Sequence, residues 1–123
     1  MKAIINGKII TKDGIVEDKI LLFDEKIIDF CDKVDENIEI IDAKGLYVSP
    51  GLIDIHIHGS NNSDAMDNDA NAIQIIGESI KKTGVTSFLP TTMTMDKEDI
   101  YNALSNIRKL LNKKYNGDQV IGA

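Results

Sequence analysis

Residues 51–123 alternate between apolar strand segments and helix-forming segments, and this alternation is the strongest constraint on the fold. Strands are predicted at GLIDIHIH, VTSFLPTT and QVIGA, with one helix in each gap. Strands that alternate with helices form parallel sheets through right-handed crossovers. Gly51, Gly84 and Gly117 mark a repeat of about 33 residues, and eight such repeats would approach the size of a closed (β/α)8 TIM barrel. The prediction is an α/β chain that holds two repeats and one further strand of an incomplete TIM barrel.

Both predicted helices carry capping signals and a helical apolar period. Asp69 and Asp96 are the predicted N-caps. Basic residues before a glycine, at Lys113, Lys114 and Gly117, predict the end of the second helix. The predicted buried stripes are Ile73, Ile76 and Ile80 on the first helix, and Ile100, Ala103, Leu104, Ile107 and Leu111 on the second.

Residues 1–50 contain strand signals without a competing helical period. Turn pairs Asn6-Gly7, Asp13-Gly14 and Asp24-Glu25 each separate two runs rich in apolar residues. Asn-Gly is the strongest of these signals for a short hairpin, because both positions accept positive φ. Short strands with close turns predict a small β-sandwich. We therefore predict a β-sandwich-like segment at residues 1–50 and the start of a barrel domain at residues 51–123.

Composition excludes several classes of protein. A hydrophobic content of 42% is enough to form a folded core, so we do not expect the chain to be intrinsically disordered. The formal net charge of −6 argues against a nucleic-acid partner. A single cysteine, Cys31, rules out an internal disulfide framework. No apolar run approaches the roughly 20 residues of a membrane span, so we expect no membrane partner and a cytoplasmic protein.

The chain has two histidines, and His56 and His58 both lie in the segment SPGLIDIHIHGS. Strand alternation places Asp54 and the two histidines on one face. The other face, toward covering helices, carries Ile53, Ile55 and Ile57. Two imidazoles on one face can converge on one Zn²⁺ ion at Zn–N distances of about 2.0–2.1 Å. His58 lies at the carboxyl end of the strand, where barrel active sites are built. We predict metal binding here; two hydrogen-bonded core histidines are the alternative.

Polar residues at the ends of the first two barrel strands are candidates for a substrate pocket. Asn61 and Asn62 follow the histidines in the loop GSNNSDAMD. Thr91 and Thr92 follow the second strand at the same edge of the predicted sheet. An ordinary loop and ordinary strand packing are the alternative interpretations.

Acidic residues close to the histidines are more simply explained by structure than by chemistry. Asp54 is predicted to bond neighbouring backbone, although a third metal ligand is the alternative. Asp64 and Asp67 lie near a predicted helix start, where capping is commoner than catalysis. A catalytic zinc needs three protein ligands and an open position, so further ligands must come from other sequence.

The segment PGLIDIHIHG resembles the first barrel strand of the amidohydrolase superfamily, in which His-x-His binds the metal. GSNNSDAMD and GVTSFLPTTMT narrow the resemblance to the N-acetylglucosamine-6-phosphate deacetylase family, and it covers the whole chain. Dihydroorotases and hydantoinases usually carry an aromatic residue or an arginine soon after the second histidine, where this chain has Gly59, Ser60 and Asn61. Adenine deaminases tend to have an acidic loop there. Only His56 and His58 carry over as metal ligands.

The resemblance implies a metal-dependent hydrolase of a linear amide. It would convert N-acetylglucosamine 6-phosphate to glucosamine 6-phosphate and acetate in amino-sugar catabolism, with a metal-activated water and an aspartate on a later strand as general base. The expected cofactor is one or two divalent ions, zinc before iron or another metal. The expected partner is the phosphorylated amino-sugar substrate, and we expect a homo-oligomer.

The same resemblance places several essential residues outside these 123 residues. They are the catalytic aspartate, a metal-binding glutamate and the phosphate-binding residues. We therefore interpret the chain as the N-terminal part of a longer enzyme and expect it to be inactive alone. The alternatives are another amidohydrolase, of the adenine deaminase or dihydroorotase type, a non-catalytic truncated module, and a complete small α/β domain.

Overall fold

A computed structural model describes residues 1–111, 113 and 115–123. These residues form two compact units, Met1–Pro50 and Gly51–Ala123. The first contains strands, and the second contains strands and helices, so the prediction of an α/β chain is confirmed. Within this described part of the chain, no helix is long and apolar enough to cross a membrane.

The first unit consists of two small sheets. A four-stranded sheet has the order β5-β4-β1-β6, and a three-stranded sheet has the order β3-β2-β7. Pairs β1–β6 and β2–β7 are parallel, and the remaining pairs are antiparallel. The strands are β1 (Lys2–Ile5), β2 (Lys8–Thr11), β3 (Gly14–Val16), β4 (Ile20–Phe23), β5 (Ile27–Cys31), β6 (Glu39–Asp42) and β7 (Tyr47–Val48).

The hairpin predicted at Asn6-Gly7 is wrong, because β1 and β2 belong to different sheets. Asn6 does adopt positive φ, 54°, and its carbonyl accepts a hydrogen bond from Gly45 N at 2.7 Å. A Cβ on Gly7 would lie 2.7 Å from the side chain of Val48. The Asn-Gly pair therefore carries the chain from one sheet to the other, alongside the connection between β6 and β7.

The other two turn signals in this unit are confirmed. Asp13-Gly14 lies at the turn between antiparallel strands β2 and β3, where the Thr11 hydroxyl accepts a hydrogen bond from Asp13 N at 3.2 Å. Asp24-Glu25 lies between the antiparallel strands β4 and β5. Both are local antiparallel connections, which a turn signal describes well.

The second unit contains one parallel sheet with the strand order β12-β11-β8. The predicted parallel arrangement of these strands is confirmed. A small antiparallel hairpin, β9–β10, precedes the first helix, and a 3₁₀ turn, Lys81–Thr83, follows it. The elements are β8 (Leu52–Ile57), β9 (Gly59–Ser60), β10 (Ser63–Asp64), α1 (Ala70–Ile80), β11 (Val85–Pro90), α2 (Lys97–Leu110) and β12 (Gln119–Val120).

Helix α1 forms as its sequence predicts. Asp69 caps it, because its carboxylate accepts a hydrogen bond from Asn71 N at 2.9 Å. Its predicted stripe, Ile73, Ile76 and Ile80, is buried against the sheet. The other buried members of this core are Ala65, Val85, Phe88, Ile107 and Val120.

Helix α2 buries a face slightly rotated from the predicted one. Ala103 and Ile107 are buried as predicted, but Leu104 is 39% exposed. Asn106 is buried beside them, and its side-chain amide donates to the Asp67 carbonyl at 3.5 Å. A polar side chain can be buried when it has a hydrogen-bond partner. The spacing of apolar residues alone therefore locates the buried face of α2 only approximately.

The ends of α2 depart from the predicted signals. Asp96 precedes the helix, but its side chain makes no capping hydrogen bond. Leu111, the last predicted stripe residue, lies beyond the helix and is 37% exposed. Lys114, one of the residues predicted to end α2, lies outside the described residues.

The isoleucines of β8 are covered only in part. Ile57 packs against the core of the second unit, whereas Ile53 and Ile55 are 58% and 75% exposed. β8 is an edge strand with β11 as its neighbour on one side. The prediction that all three isoleucines lie under covering helices is therefore wrong for Ile53 and Ile55 among the described residues.

Asp118, just before β12, is a buried acid with an incomplete set of hydrogen bonds. It is 4% exposed, and its Oδ2 atom has no hydrogen-bond partner among the described residues. Burial raises the pKa of Asp118, and the Lys81 charge offsets this in part. The Tyr115 hydroxyl donates to the Asp118 carbonyl, and burial raises the pKa of Tyr115 to about 12.

This acid predicts how stability depends on pH. The pKa of Asp118 in the folded protein is raised above the ordinary 3.8. Its protonated side chain therefore contributes fully to the unfolding free energy below pH 3.8, and this contribution is lost as the pH rises through the folded-state pKa. We expect Asp118→Asn to raise the unfolding free energy at neutral pH and to lose this advantage below pH 3.8. Urea unfolding across this pH range measures the difference. Asp99→Asn, an exposed change on α2, is the matched control, and an equal profile for the two variants would contradict the prediction.

Candidate functional site

The two histidines meet at the carboxyl end of β8. His56 lies within the strand and is exposed, and His58 directly follows the strand and is partly buried. Their Nε2 atoms are 3.2 Å apart, their ring centroids are 4.9 Å apart, and the ring planes cross at 88°. The Nε2 atoms of the two rings therefore point toward each other.

Thr91, which directly follows the neighbouring strand β11, contacts the ring of His58 through its backbone carbonyl. His58 Nδ1 lies 2.9 Å from the Thr91 carbonyl oxygen. Thr91 N donates to the Ile57 carbonyl at 2.8 Å, which continues the pairing of β8 with β11 up to the histidine. A carbonyl only accepts hydrogen bonds, so His58 Nδ1 is the donor and Nε2 carries the lone pair in the neutral ring.

Asp54 has the structural role predicted for it. Its carboxylate accepts a hydrogen bond from His56 N at 3.1 Å. Among residues 1–111, 113 and 115–123, no group of three or more His, Cys, Asp or Glu side chains is arranged to hold a metal. The described residues therefore offer an ion at most the two imidazoles of His56 and His58 at this point.

The geometry of the pair fits a shared ion. Zinc–imidazole distances of about 2.0–2.1 Å and tetrahedral angles place two ligand nitrogens about 3.3–3.4 Å apart. The observed Nε2–Nε2 separation of 3.2 Å is close to this value. The contact from His58 Nδ1 to a backbone carbonyl is the usual support for a metal-binding imidazole.

Asn61 and Asn62 form a tight turn in the hairpin β9–β10. Both have positive φ, 53° and 59°, as a two-residue type I′ turn requires, and Ser60 pairs with Ser63 across it. This hairpin differs from the loop predicted for GSNNSDAMD, although two adjacent asparagines are a signal for such a turn.

The hairpin directs these two asparagines toward cavities that the histidines do not line. Asn61 lines a cavity of about 520 Å³ together with Glu78, Lys81 and Asn116. Asn62 lines a second cavity, of about 430 Å³, beside the hairpin. Of the four predicted pocket residues, the structure brings Thr91 into contact with a histidine. Thr92 follows it and is partly buried.

Comparison with known proteins gives a consistent result. No protein-family model matches the sequence. The N-acetylglucosamine-6-phosphate deacetylase of Haemophilus influenzae is 32% identical over 120 residues, which cover 93% of this chain and 31% of that protein. The crystal structure of N-acetylglucosamine-6-phosphate deacetylase from Pasteurella multocida matches with a TM-score of 0.85 and 29% identity, over 94% of this chain and 32% of the other. This chain is similar to N-acetylglucosamine-6-phosphate deacetylases.

The resemblance predicted from the sequence is thus confirmed, and the chain spans about a third of the length of these relatives. A dihydroorotase from Staphylococcus epidermidis is 47% identical over 62 residues, which cover 47% of this chain and 14% of that protein. The chain therefore resembles hydrolases of two kinds, and the deacetylase match extends over about twice as many residues.

Gly59 also shapes this site, a role that the sequence pattern does not predict. It directly follows His58, and a Cβ there would lie 2.3 Å from the Ser63 carbonyl oxygen. Ala65 N donates to the His58 carbonyl at 2.6 Å and so closes the hairpin onto the histidine backbone. Glycine at this position lets the chain fold back directly after His58, because it has no side chain to collide with the Ser63 carbonyl.

The acidic residues of the same segment bond to nearby backbone. Asp64 accepts a hydrogen bond from Met66 N at 2.8 Å, and Asp67 accepts one from Asp64 N at 2.9 Å. These bonds support the structural interpretation over an acidic catalytic pair. They order the segment between the hairpin and α1.

Proposed function

We propose that this chain supplies the histidine pair of the metal centre in a deacetylase that hydrolyses N-acetylglucosamine 6-phosphate to glucosamine 6-phosphate and acetate. The observation that carries the proposal is the 3.2 Å approach of His56 Nε2 and His58 Nε2. It occurs in a chain that is similar over 93% of its length to an N-acetylglucosamine-6-phosphate deacetylase.

The proposal assigns residues 51–123 to the start of a TIM-barrel amidohydrolase domain. Three parallel strands with α1 and α2 between them support this assignment. Residues 1–50 are assigned to a small β-sandwich, supported by the two sheets of the first unit. The catalytic aspartate and the remaining ligands then belong to strands that these 123 residues do not contain.

His56 and His58 would hold a divalent ion, with zinc favoured by two imidazole ligands and iron or another divalent metal as the alternative. When bound, such an ion polarises a carbonyl group and makes water a nucleophile near neutral pH. The chain's own residues orient the ligands: the Thr91 carbonyl fixes the His58 ring, and β8 presents His56 beside it. Thr91 and Thr92 are assigned to the substrate side because they follow β11 next to His58.

A dihydroorotase is the second candidate, because 62 residues of this chain are 47% identical to one. The deacetylase is preferred because its match extends over 120 residues. The turn after His58 also favours it: Gly59, Ser60 and Asn61 offer no cation for a substrate carboxylate.

Metal binding is predicted to depend on both histidines. In the 123-residue chain, replacing both His56 and His58 with alanine should weaken zinc binding by tenfold or more, because loss of ligands or of their supports has effects of at least this size. Competition with a chromophoric chelator measures the affinity. Asn102→Ala, an exposed change on α2, is the matched control and should bind zinc like the parent. Equal zinc affinity in the double variant and the parent would favour two hydrogen-bonded histidines without a metal role.

Activity is predicted to require more than these 123 residues. The longer protein to which we assign the chain should release acetate from N-acetylglucosamine 6-phosphate, and the chain alone with zinc should release none above buffer. Dihydroorotate is the comparison substrate, and its ring opening is followed in parallel. Acetate release by the chain alone would contradict the need for further ligands, and faster ring opening by the longer protein would replace the deacetylase assignment with the second candidate.

A further inference from the structure

The two histidines have different hydrogen-bond surroundings. His58 Nδ1 contacts the Thr91 carbonyl at 2.9 Å, whereas the Nδ1 atom of His56 has no hydrogen-bond partner among the described residues. The two rings contact each other only through their Nε2 atoms, at 3.2 Å. One ring is therefore held at both nitrogens, and the other at one.

This difference decides where the protons lie in the neutral pair. The Thr91 carbonyl cannot donate, so His58 carries its proton on Nδ1 and has a bare Nε2. Two bare nitrogens would repel each other at 3.2 Å, so His56 must place its own proton on Nε2 and donate it to His58. The contact is then a single Nε2–H···Nε2 hydrogen bond with a fixed direction.

We propose that Thr91 is a positioning residue that sets opposite tautomers in the two histidines, so that metal binding requires a tautomer change in His56 alone. This inference rests on the proposed function, because it concerns how the same pair accepts its ion. A metal can bind only a bare nitrogen. His58 Nε2 is already bare, but His56 Nε2 must lose its proton while Nδ1 gains one from water.

The proton balance of this step is neutral. One N–H bond of His56 breaks, one N–H bond forms on the same ring, and solvent carries the proton between them. The separation of the nitrogens needs to change little, since the observed 3.2 Å is close to the separation of about 3.3–3.4 Å that a shared tetrahedral zinc requires. In the metal-free pair, the proton on His56 Nε2 thus lies between the two Nε2 atoms, in the position that the ion would take.

Nuclear magnetic resonance of the imidazole nitrogens tests this directly, because two-bond ¹⁵N–¹H spectra identify which nitrogen of each ring is protonated. The chain has two histidines, so the single variants His56→Ala and His58→Ala each leave one ring and assign the signals. Spectra are recorded near pH 8, first without metal and then with one equivalent of zinc. Backbone amide spectra of each variant check that the fold persists.

Without metal, we expect His58 to show a proton on Nδ1 and His56 a proton on Nε2. His56→Ala should leave the His58 pattern unchanged, and His58→Ala should turn His56 into a mixture of both tautomers. With zinc, the His56 pattern should move to a proton on Nδ1 while His58 keeps its own. These changes would not follow from a role of Thr91 in strand pairing alone.

Three results would overturn the inference: both metal-free histidines protonated on Nε2, a tautomer change of His58 in His56→Ala, or a change of both rings on zinc addition. A different result is expected if the histidine pair does not bind metal, that is, if the proposed function is wrong. In that case zinc alters neither ring, and the metal-free spectrum alone decides whether Thr91 sets the tautomers.

Discussion

The pairing of β8 with β11 is the interaction on which the site depends. Parallel hydrogen bonds join the two strands and extend past their ends, where Thr91 N donates to the Ile57 carbonyl at 2.8 Å. This last bond places the Thr91 carbonyl beside His58 Nδ1. Strand registry therefore sets the position of a ring nitrogen, and a shift by one residue would remove the contact and turn both histidines to the other face.

Packing behind the sheet maintains that registry. Phe88 is fully buried between the strands and the helices, and Ile73 and Ile76 of α1 pack in the same core. Ile57, next to His58 in sequence, packs against this core from β8. The apolar face of the strand thus anchors the segment whose other face presents the imidazoles, so stability and site geometry rest on the same few residues.

Several of these features follow from local sequence signals. The period of Ile73, Ile76 and Ile80 and the cap at Asp69 predict α1, because both depend on residues within a few positions of each other. The spacing of His56 and His58 places both rings on one side of β8 through the alternation of a strand. The backbone role of Asp54 is equally local.

Other features depend on contacts between distant residues, which local patterns do not encode. Asn6-Gly7 has the composition of a hairpin turn, but pairing of β1 with β6 and of β2 with β7 makes it a connection between sheets. The role of Thr91 depends on a carbonyl 33 positions from His58 in the chain, and a backbone group has no signature in side-chain patterns. The turn at Asn61 and Asn62 depends on positive φ at both residues, whereas the sequence prediction described them only as part of a loop.

Our proposal requires that His56 Nε2 and His58 Nε2 share one ion. Anomalous diffraction at the zinc absorption edge, from crystals of the chain grown with zinc, shows whether they do. We expect one anomalous peak between the rings, about 2.0–2.1 Å from each Nε2 atom, with His58 Nδ1 still bonded to the Thr91 carbonyl. A zinc-saturated crystal with no peak at the pair, or with the ion bound by one ring while the other turns away, would contradict it.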